Sequence, residues 1–135
     1  GKTRTMCLLL NRLIRYRVKV KAFFHGSFYD ELLEVIRSEK NLRRWKAEII
    51  EYPVIAIDDL FSEKLTERGE ATLFEIIDAR ICNQRPTIIT TQVTKKEGSL
   101  RFHSVKRAEA FFRRLNEFFD AIPTKRTKQE EITIG

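Results

Sequence analysis

Three groups of polar residues in this chain have types and spacing suited to work on phosphate. The first is Gly1-Lys2-Thr3, at the start of an amphipathic helical pattern. A helix start presents unpaired N–H groups and a partial positive charge, a lysine there can reach the β- and γ-phosphates of a nucleotide, and a threonine hydroxyl can ligate Mg2+. Alone the tripeptide is a weak signal, because its glycine-rich front half would have to precede Gly1. The second group is Asp58-Asp59, which closes the apolar run Val54-Ile55-Ala56-Ile57. Adjacent carboxylates at the C-terminal end of a buried strand lie where open α/β sheets form their ligand crevices. Asp58 would hold Mg2+ through water, and Asp59 would orient or deprotonate an attacking water. The plainer alternative is a strand end followed by a helix-capping Asp. Third is Gln92, after Thr87-Ile88-Ile89-Thr90-Thr91. In a parallel sheet this strand would end beside the Asp58 strand, so the amide could touch a γ-phosphate or the attacking water, or be no more than a polar strand exit.

These groups need a frame, and the hydrophobic periodicity supplies one. Met6, Leu9, Leu10, Leu13 and Ile14 recur at helical spacing, predicting a helix from Lys2 to about Tyr16. Val18 to Phe24 begins by alternating apolar and basic residues, as a half-exposed strand does. Ser27 is expected to cap a helix to about Ser38 and Asn41 a second one to Ile50, with Trp45 anchored in the core. Pro53 stops that helix before the Val54 strand. A helix over Ala71 to Asn83, a strand from Pro86 to Thr91, a basic irregular stretch from Thr94 to His103, a helix from Ser104 to Asn116 and a strand near Phe119–Ile122 follow. Lys125 to Glu131 reads as a solvated tail. Helices and strands alternate, so the class is α/β with a mostly parallel sheet.

The order Gly-Lys-Thr helix, Val-Ile-Ala-Ile-Asp-Asp-Leu, Ile-Ile-Asp-Ala-Arg, Arg-Pro-Thr-Ile-Ile-Thr-Thr-Gln and Phe-Phe-Arg-Arg-Leu resembles the AAA+ ATPases of the DnaC/IstB group, relatives of the DnaA initiator. The resemblance runs from residue 1 to about residue 122, and its specificity lies in the ordered set. It implies a P-loop NTPase three-layer sandwich over 1–122 and a basic, polar tail over 123–135. It also implies that Gly1, Lys2 and Thr3 end Walker A and bind ATP, and that Thr3 and Asp58 hold Mg2+. Asp59 would complete Walker B, Gln92 would stand at sensor 1, and Arg114 would act as a finger reaching a neighbouring subunit's γ-phosphate, with Arg113 as the fallback. Sensor 1 is more often Asn in the family, and Gln adds a methylene. The family's first strand, which carries the glycine-rich loop, would lie between the sensor 1 strand and the last strand. It is not in the sequence given, so the protein is expected to have an N-terminal extension. A sensor 2 arginine is not evident; Arg126 is a weak candidate.

The implied activity is that of an ATP-hydrolysing, DnaC-like helicase loader, forming an ATP-dependent homo-oligomer that acts with a replicative helicase on single-stranded DNA. Near alternatives are a transposition helper of IstB type with a transposase as partner, or a non-catalytic DNA-binding adaptor with a decayed nucleotide site. Family relatives carry extra helical structure for single-stranded DNA where this chain has residues 25 to 50. There Phe28 and Tyr29 would stack bases while Arg37, Lys40, Arg43, Arg44 and Lys46 follow phosphates. Against this stands a core role for Phe28, Leu32, Leu33 and Ile36, which fall at helical spacing. Lys95, Lys96, Arg101, Lys106 and Arg107 form a second basic cluster. Neither His25 nor His103 suggests catalysis.

Composition agrees with a globular domain: 42% of residues are hydrophobic, and 26 Lys and Arg against 19 Asp and Glu give a net charge of +7, which suits phosphate-rich partners. Cys7 and Cys82 stand apart with no metal-ligand spacing, and both read as buried thiols of a reducing, cytoplasmic compartment. No apolar stretch approaches the roughly 18 residues that span a bilayer, so no membrane partner is expected.

Overall fold

The computed structural model describes residues 1–24, 26–123 and 131–134. The elements in chain order are α1 (Lys2–Arg15), β1 (Val20–Phe23), α2 (Ser27–Val35), α3 (Glu39–Glu51), β2 (Val54–Ile57), α4 (Glu67–Cys82), β3 (Thr87–Thr91), α5 (Lys95–Leu100), α6 (Val105–Phe118), β4 (Asp120–Pro123) and β5 (Glu131–Ile134). The sheet order is β1-β2-β3-β5-β4. β1, β2 and β3 pair in parallel, with Ala22 opposite Ala56 and Ala56 opposite Ile88. The class is therefore α/β, with helices on both faces of the sheet.

Strand alternation builds the two faces. Val54, Ala56 and Ile88 point to one side, where Met6 and Leu10 of α1 cover them, with Leu9, Leu13, Val20 and Ala22 around the edge. Phe23, Ile55, Ile57 and Ile89 point to the other, against Phe28, Tyr29 and Leu32 of α2, Leu42, Trp45 and Ile49 of α3, Leu73, Ile76 and Ile77 of α4, and Phe111 of α6. β2 is buried at all four positions because it has neighbours on both edges and helices on both faces.

Several local expectations change. Gly26, at φ 79°, is the N-cap of α2, and Ser27 is its first helical residue. α3 starts earlier than expected, with Ser38 as the N-cap whose hydroxyl accepts from the Asn41 N–H. α4 begins at Glu67 behind a Thr66 cap. The stretch read as irregular holds α5, folded tightly on α6: a Cβ added at Gly98 would lie 2.8 Å from Phe112 Cζ. Cys7 is half-buried and Cys82 exposed, so neither is the buried thiol expected.

The largest departure lies in residues expected to be a tail. β5 enters antiparallel between β3 and β4, pairing Ile89 with Thr133 on one side and Ala121 with Thr133 on the other. That slot is the one in which the family resemblance would put the strand ahead of Gly1. Lys125, Arg126 and the rest of 124–130, like His25, lie outside the described residues.

Two buried charges fasten the helical layer. The Arg80 guanidinium donates to the carbonyls of Ile49 (2.8 Å), Tyr52 (2.6 Å) and Pro86 (2.6 Å) and to Thr87 Oγ1 (2.9 Å). It thus ties the C-terminal end of α3, where carbonyls lack helical partners, to the start of β3. Burial, with Arg85 nearby, lowers its pKa to about 10. Glu70 of α4 caps α6 from outside, accepting from the backbone N–H groups of His103 (2.6 Å) and Ser104 (3.3 Å) and from Arg107 (2.7 Å).

Candidate functional site

Residues far apart in sequence meet where β2 and β3 end and α1 begins. Gly1 is the N-cap of α1, with no side-chain cap and no acidic residue of its own in the first turn, so the carboxylate that meets this turn comes from outside the helix, at Asp58. Lys2 is only 6% exposed. Its ammonium donates to the Thr91 carbonyl at the end of β3. One residue on, the Thr3 hydroxyl lies 3.2 and 3.1 Å from the two carboxylate oxygens of Asp58.

Asp58 is 4% exposed. Its N–H continues the β1–β2 ladder by donating to the Phe23 carbonyl at 2.9 Å, which fixes the carboxylate as an extension of the strand. Thr90 Oγ1 donates to Asp58 Oδ1 at 2.6 Å and accepts the Asp59 N–H at 2.8 Å. Beyond Asp58 the chain turns through left-handed conformations at Asp59 (φ 60°) and Phe61 (φ 71°). Asp tolerates this region; for a phenylalanine it costs on the order of 1 kcal/mol.

Four bonds hold the turn. Leu60 N–H donates to the Thr90 carbonyl at 2.8 Å, the Thr91 hydroxyl donates to the Leu60 carbonyl at 2.9 Å, Asp59 is held by Thr90 as above, and Phe61 N–H donates to the Tyr29 hydroxyl. Burial pushes the Tyr29 pKa up, so the phenol stays protonated. Phe61 then seats in a ring cluster with Phe102, Phe111 and Phe112. Asp59 is left half-buried on a rigid turn beside Asp58.

Lys2, Thr3, Asp58, Asp59 and the end of β3 therefore form one constellation. Gln92 follows directly after β3 and is exposed. Arg114 does not join them. It lies on α4 instead: its Nε donates to Asp78, and its guanidinium sits 4.8 Å from the centre of the Phe74 ring. Arg113 is exposed. With Leu60, Ile89, Thr91 and Phe112 it lines a cleft of about 490 Å3 between β3 and α6.

The expected DNA contacts divide. Phe28 and Tyr29 cannot stack on bases, because they are 1% and 2% exposed and pack edge-to-face within the core. Helical periodicity put Phe28 there, and Tyr29 follows because its hydroxyl is needed at Phe61. Lys46 is tied to Glu75 at 2.6 Å, whereas Arg37, Lys40, Arg43 and Arg44 are exposed. Trp45 is buried as expected, with its indole N–H on Glu31 at 3.2 Å.

Among the described residues no three His, Cys, Asp or Glu side chains cluster as a metal cage. Mg2+ needs none, since it keeps several waters and takes one or two carboxylates plus phosphate oxygens. Thr3 Oγ1 and the Asp58 carboxylate stand side by side, 3.1 to 3.2 Å apart, a hydroxyl and a carboxylate of the hard oxygen type that Mg2+ takes directly or through its retained waters, so the pair fits the ion.

Thr90 is a contributor that the sequence did not single out, and Tyr29, read from the sequence as a base-stacking ring, instead supports the turn at Phe61. A threonine beside two isoleucines in a buried strand was the available signal for Thr90. Among the described residues no helix is long and apolar enough to cross a membrane. In comparison with known proteins, the chain matches no family model, no curated protein and no solved structure.

Proposed function

We propose that this chain is the ATPase core of an AAA+ protein of the DnaC/IstB type, one that binds Mg·ATP at the start of α1 and hydrolyses it while acting with single-stranded DNA and a replicative helicase. One observation carries the proposal: Lys2, Thr3 and Asp58, the last 55 residues from Thr3, converge with the end of β3 at the edge where the sheet strands finish. Basic, hydroxyl and carboxylate groups at a helix N-terminus are the donor set that a nucleotide's terminal phosphates and their metal require. An unrelated α/β domain has no need to bond Thr3 to Asp58 and Lys2 to the end of β3 at one edge.

In this assignment the N-terminal N–H groups of α1 and the Lys2 ammonium neutralise phosphate charge. Thr3 and Asp58 hold Mg2+, which supplies further charge neutralisation when bound. Asp59 takes the proton of the water that attacks the γ-phosphorus, and the bond to the ADP oxygen breaks. Thr90 holds the Asp58 carboxylate and the backbone of Asp59. The rigid turn after Asp58 favours catalysis over mere capping, since it fixes Asp59 without a helix following directly. Gln92 and, in an oligomer, Arg114 of a neighbouring subunit are assigned to the γ-phosphate by family likeness. The test is Mg-dependent ATP binding and phosphate release by the full-length protein. Failure to bind ATP, or binding indifferent to Lys2→Ala, would overturn the assignment.

A further inference from the structure

The first 29 residues contain seven Lys and Arg and no Asp or Glu, so they carry the whole net charge of +7, and the remainder of the chain is balanced. Of these seven, Lys2 belongs to the site above, Lys21 lies 3.6 Å from Glu31, and Arg4 stands near the start of α1. The other four gather at the far end of α1. Arg12 and Arg15 are in its last turn, Arg17 is in the turn that follows, and Lys19 precedes β1; all four are exposed. None of them has a carboxylate within ion-pair distance among the described residues. Between them Tyr16 is 76% exposed.

Two backbone hydrogen bonds close the helix here. Val18 N–H donates to the Leu13 carbonyl at 3.0 Å and Arg17 N–H to the Ile14 carbonyl at 2.9 Å, the two bonds of a Schellman cap. The residue after such a cap is ordinarily glycine, because its φ is positive; here it is Arg17, at φ 61°. The helix dipole favours cations at this end and accounts for Arg12 and Arg15. It does not account for an arginine held in a strained conformation beyond the cap, nor for an uncovered tyrosine ring among the cations.

We propose that the end of α1 and the turn to β1 form a binding surface for single-stranded nucleic acid, with Arg12, Arg15, Arg17 and Lys19 on successive phosphates and Tyr16 stacked on a base. Unopposed cations release counterions from a phosphate chain, and an exposed ring needs the unpaired base face that only a single strand offers. The 14 residues of α1 put this surface about 20 Å from Lys2, so it does not compete with the nucleotide site. The proposal rests on the nucleic-acid part of the function given above and is independent of ATP chemistry.

The test is fluorescence anisotropy of a labelled 20-nucleotide oligo-dT with the 135-residue chain over a salt series. Arg15→Gln with Arg17→Gly should weaken binding about tenfold at low salt and reduce the log–log salt slope by roughly 1.4, at about 0.7 per lost contact. Arg17→Gly alone should raise Tm, since glycine relaxes the cap, while weakening binding, a combination that damage to the fold does not produce. Tyr16→Ser should lose several-fold and Tyr16→Phe should not. Unchanged affinity in the Arg15/Arg17 double variant would overturn the surface. So would a loss confined to Arg43→Ala/Arg44→Ala, which would move the site to α3 and leave the proposed function standing. Absence of any oligonucleotide binding would overturn both this surface and the nucleic-acid part of that function. Tighter binding to phosphatidylserine vesicles than to oligo-dT would assign these residues to a lipid surface instead.

Discussion

Thr90 and Asp58 are joined by a 2.6 Å hydrogen bond in which the hydroxyl donates to Oδ1, and the same hydroxyl oxygen accepts the N–H of Asp59 at 2.8 Å. One side chain on β3 thereby fixes both the direction of one carboxylate and the backbone of the next. Thr90→Val keeps the shape and removes both bonds. It should lower stability by about 1–3 kcal/mol, because a buried carboxylate oxygen loses its shorter hydrogen bond and the Asp59 N–H loses its partner. In the full-length protein it should cut ATP turnover more than ATP affinity. Thr90→Ser should restore most of the turnover, and a Val variant with wild-type kcat would remove Thr90 from the site.

The roles of Lys2 and Asp59 separate binding from chemistry. Lys2→Ala should weaken Mg·ATP binding, because it removes a charge that acts on the bound nucleotide before reaction. Asp59→Asn should retain binding and lose most hydrolysis, since the carboxylate is needed chiefly in the transition state. The check is equilibrium binding of a fluorescent ATP analogue beside phosphate release. Full turnover by Asp59→Asn would end its assignment as the base.

Much of this architecture was legible because period and burial coincide. Met6 and Leu10 mark the buried stripe of α1, and the unbroken apolar run at 54–57 announces a strand covered on both faces. The convergence of Lys2, Thr3 and Asp58 was implied by the family resemblance, which puts all three at one nucleotide site. What escaped depends on partners far away in sequence. Thr90 is unremarkable until its hydroxyl is known to face Asp58, and Glu70 and Arg80 look like surface charges on an amphipathic helix until His103, Ser104 and the end of α3 are packed against them. β5 was hidden for a different reason: four residues beyond a charged run give too short a pattern to distinguish a strand from a tail, and only the gap between β3 and β4 gives them a place. The contacts of Arg114 escaped for the same reason as Thr90 did, because helical phase gives the direction of a side chain from its own axis but not that α4 offers Asp78 and Phe74 there.

Arg80 should prove one of the most sensitive positions for stability. Its guanidinium is fully buried and bonded to carbonyls from the α3 end and the start of β3, with no carboxylate partner among its described contacts. Arg80→Met fills similar space and strands those carbonyls without a donor. The expected loss is about 3 kcal/mol or more, in the range of other broken buried networks. Urea unfolding should show a lower midpoint at unchanged slope. A loss below about 1 kcal/mol would mean that water reaches those carbonyls.

Arg114 offers the sharpest test of assembly. In the monomer it is shared between Asp78 and the Phe74 ring, a half-exposed ion pair and cation–π contact that together contribute only about 1 kcal/mol. A finger acting in trans would have to exchange these weak contacts for a neighbouring subunit's γ-phosphate, where a guanidinium stabilises transition-state charge far more strongly in a dry interface. Arg114→Ala should therefore fold with nearly wild-type stability and bind ATP, yet lose most hydrolysis and ATP-dependent oligomerisation. Asp78→Ala removes the same intramolecular contact while leaving the arginine, so it separates the two roles. If Arg114 only fastens α6 to α4, the two variants should behave alike; if it acts in trans, Asp78→Ala should retain turnover. Mixing Arg114→Ala with Lys2→Ala completes the case, because some mixed interfaces then face an intact nucleotide site with an intact arginine. Recovered phosphate release on mixing is the outcome expected, and hydrolysis by Arg114→Ala alone at the wild-type rate would exclude the finger.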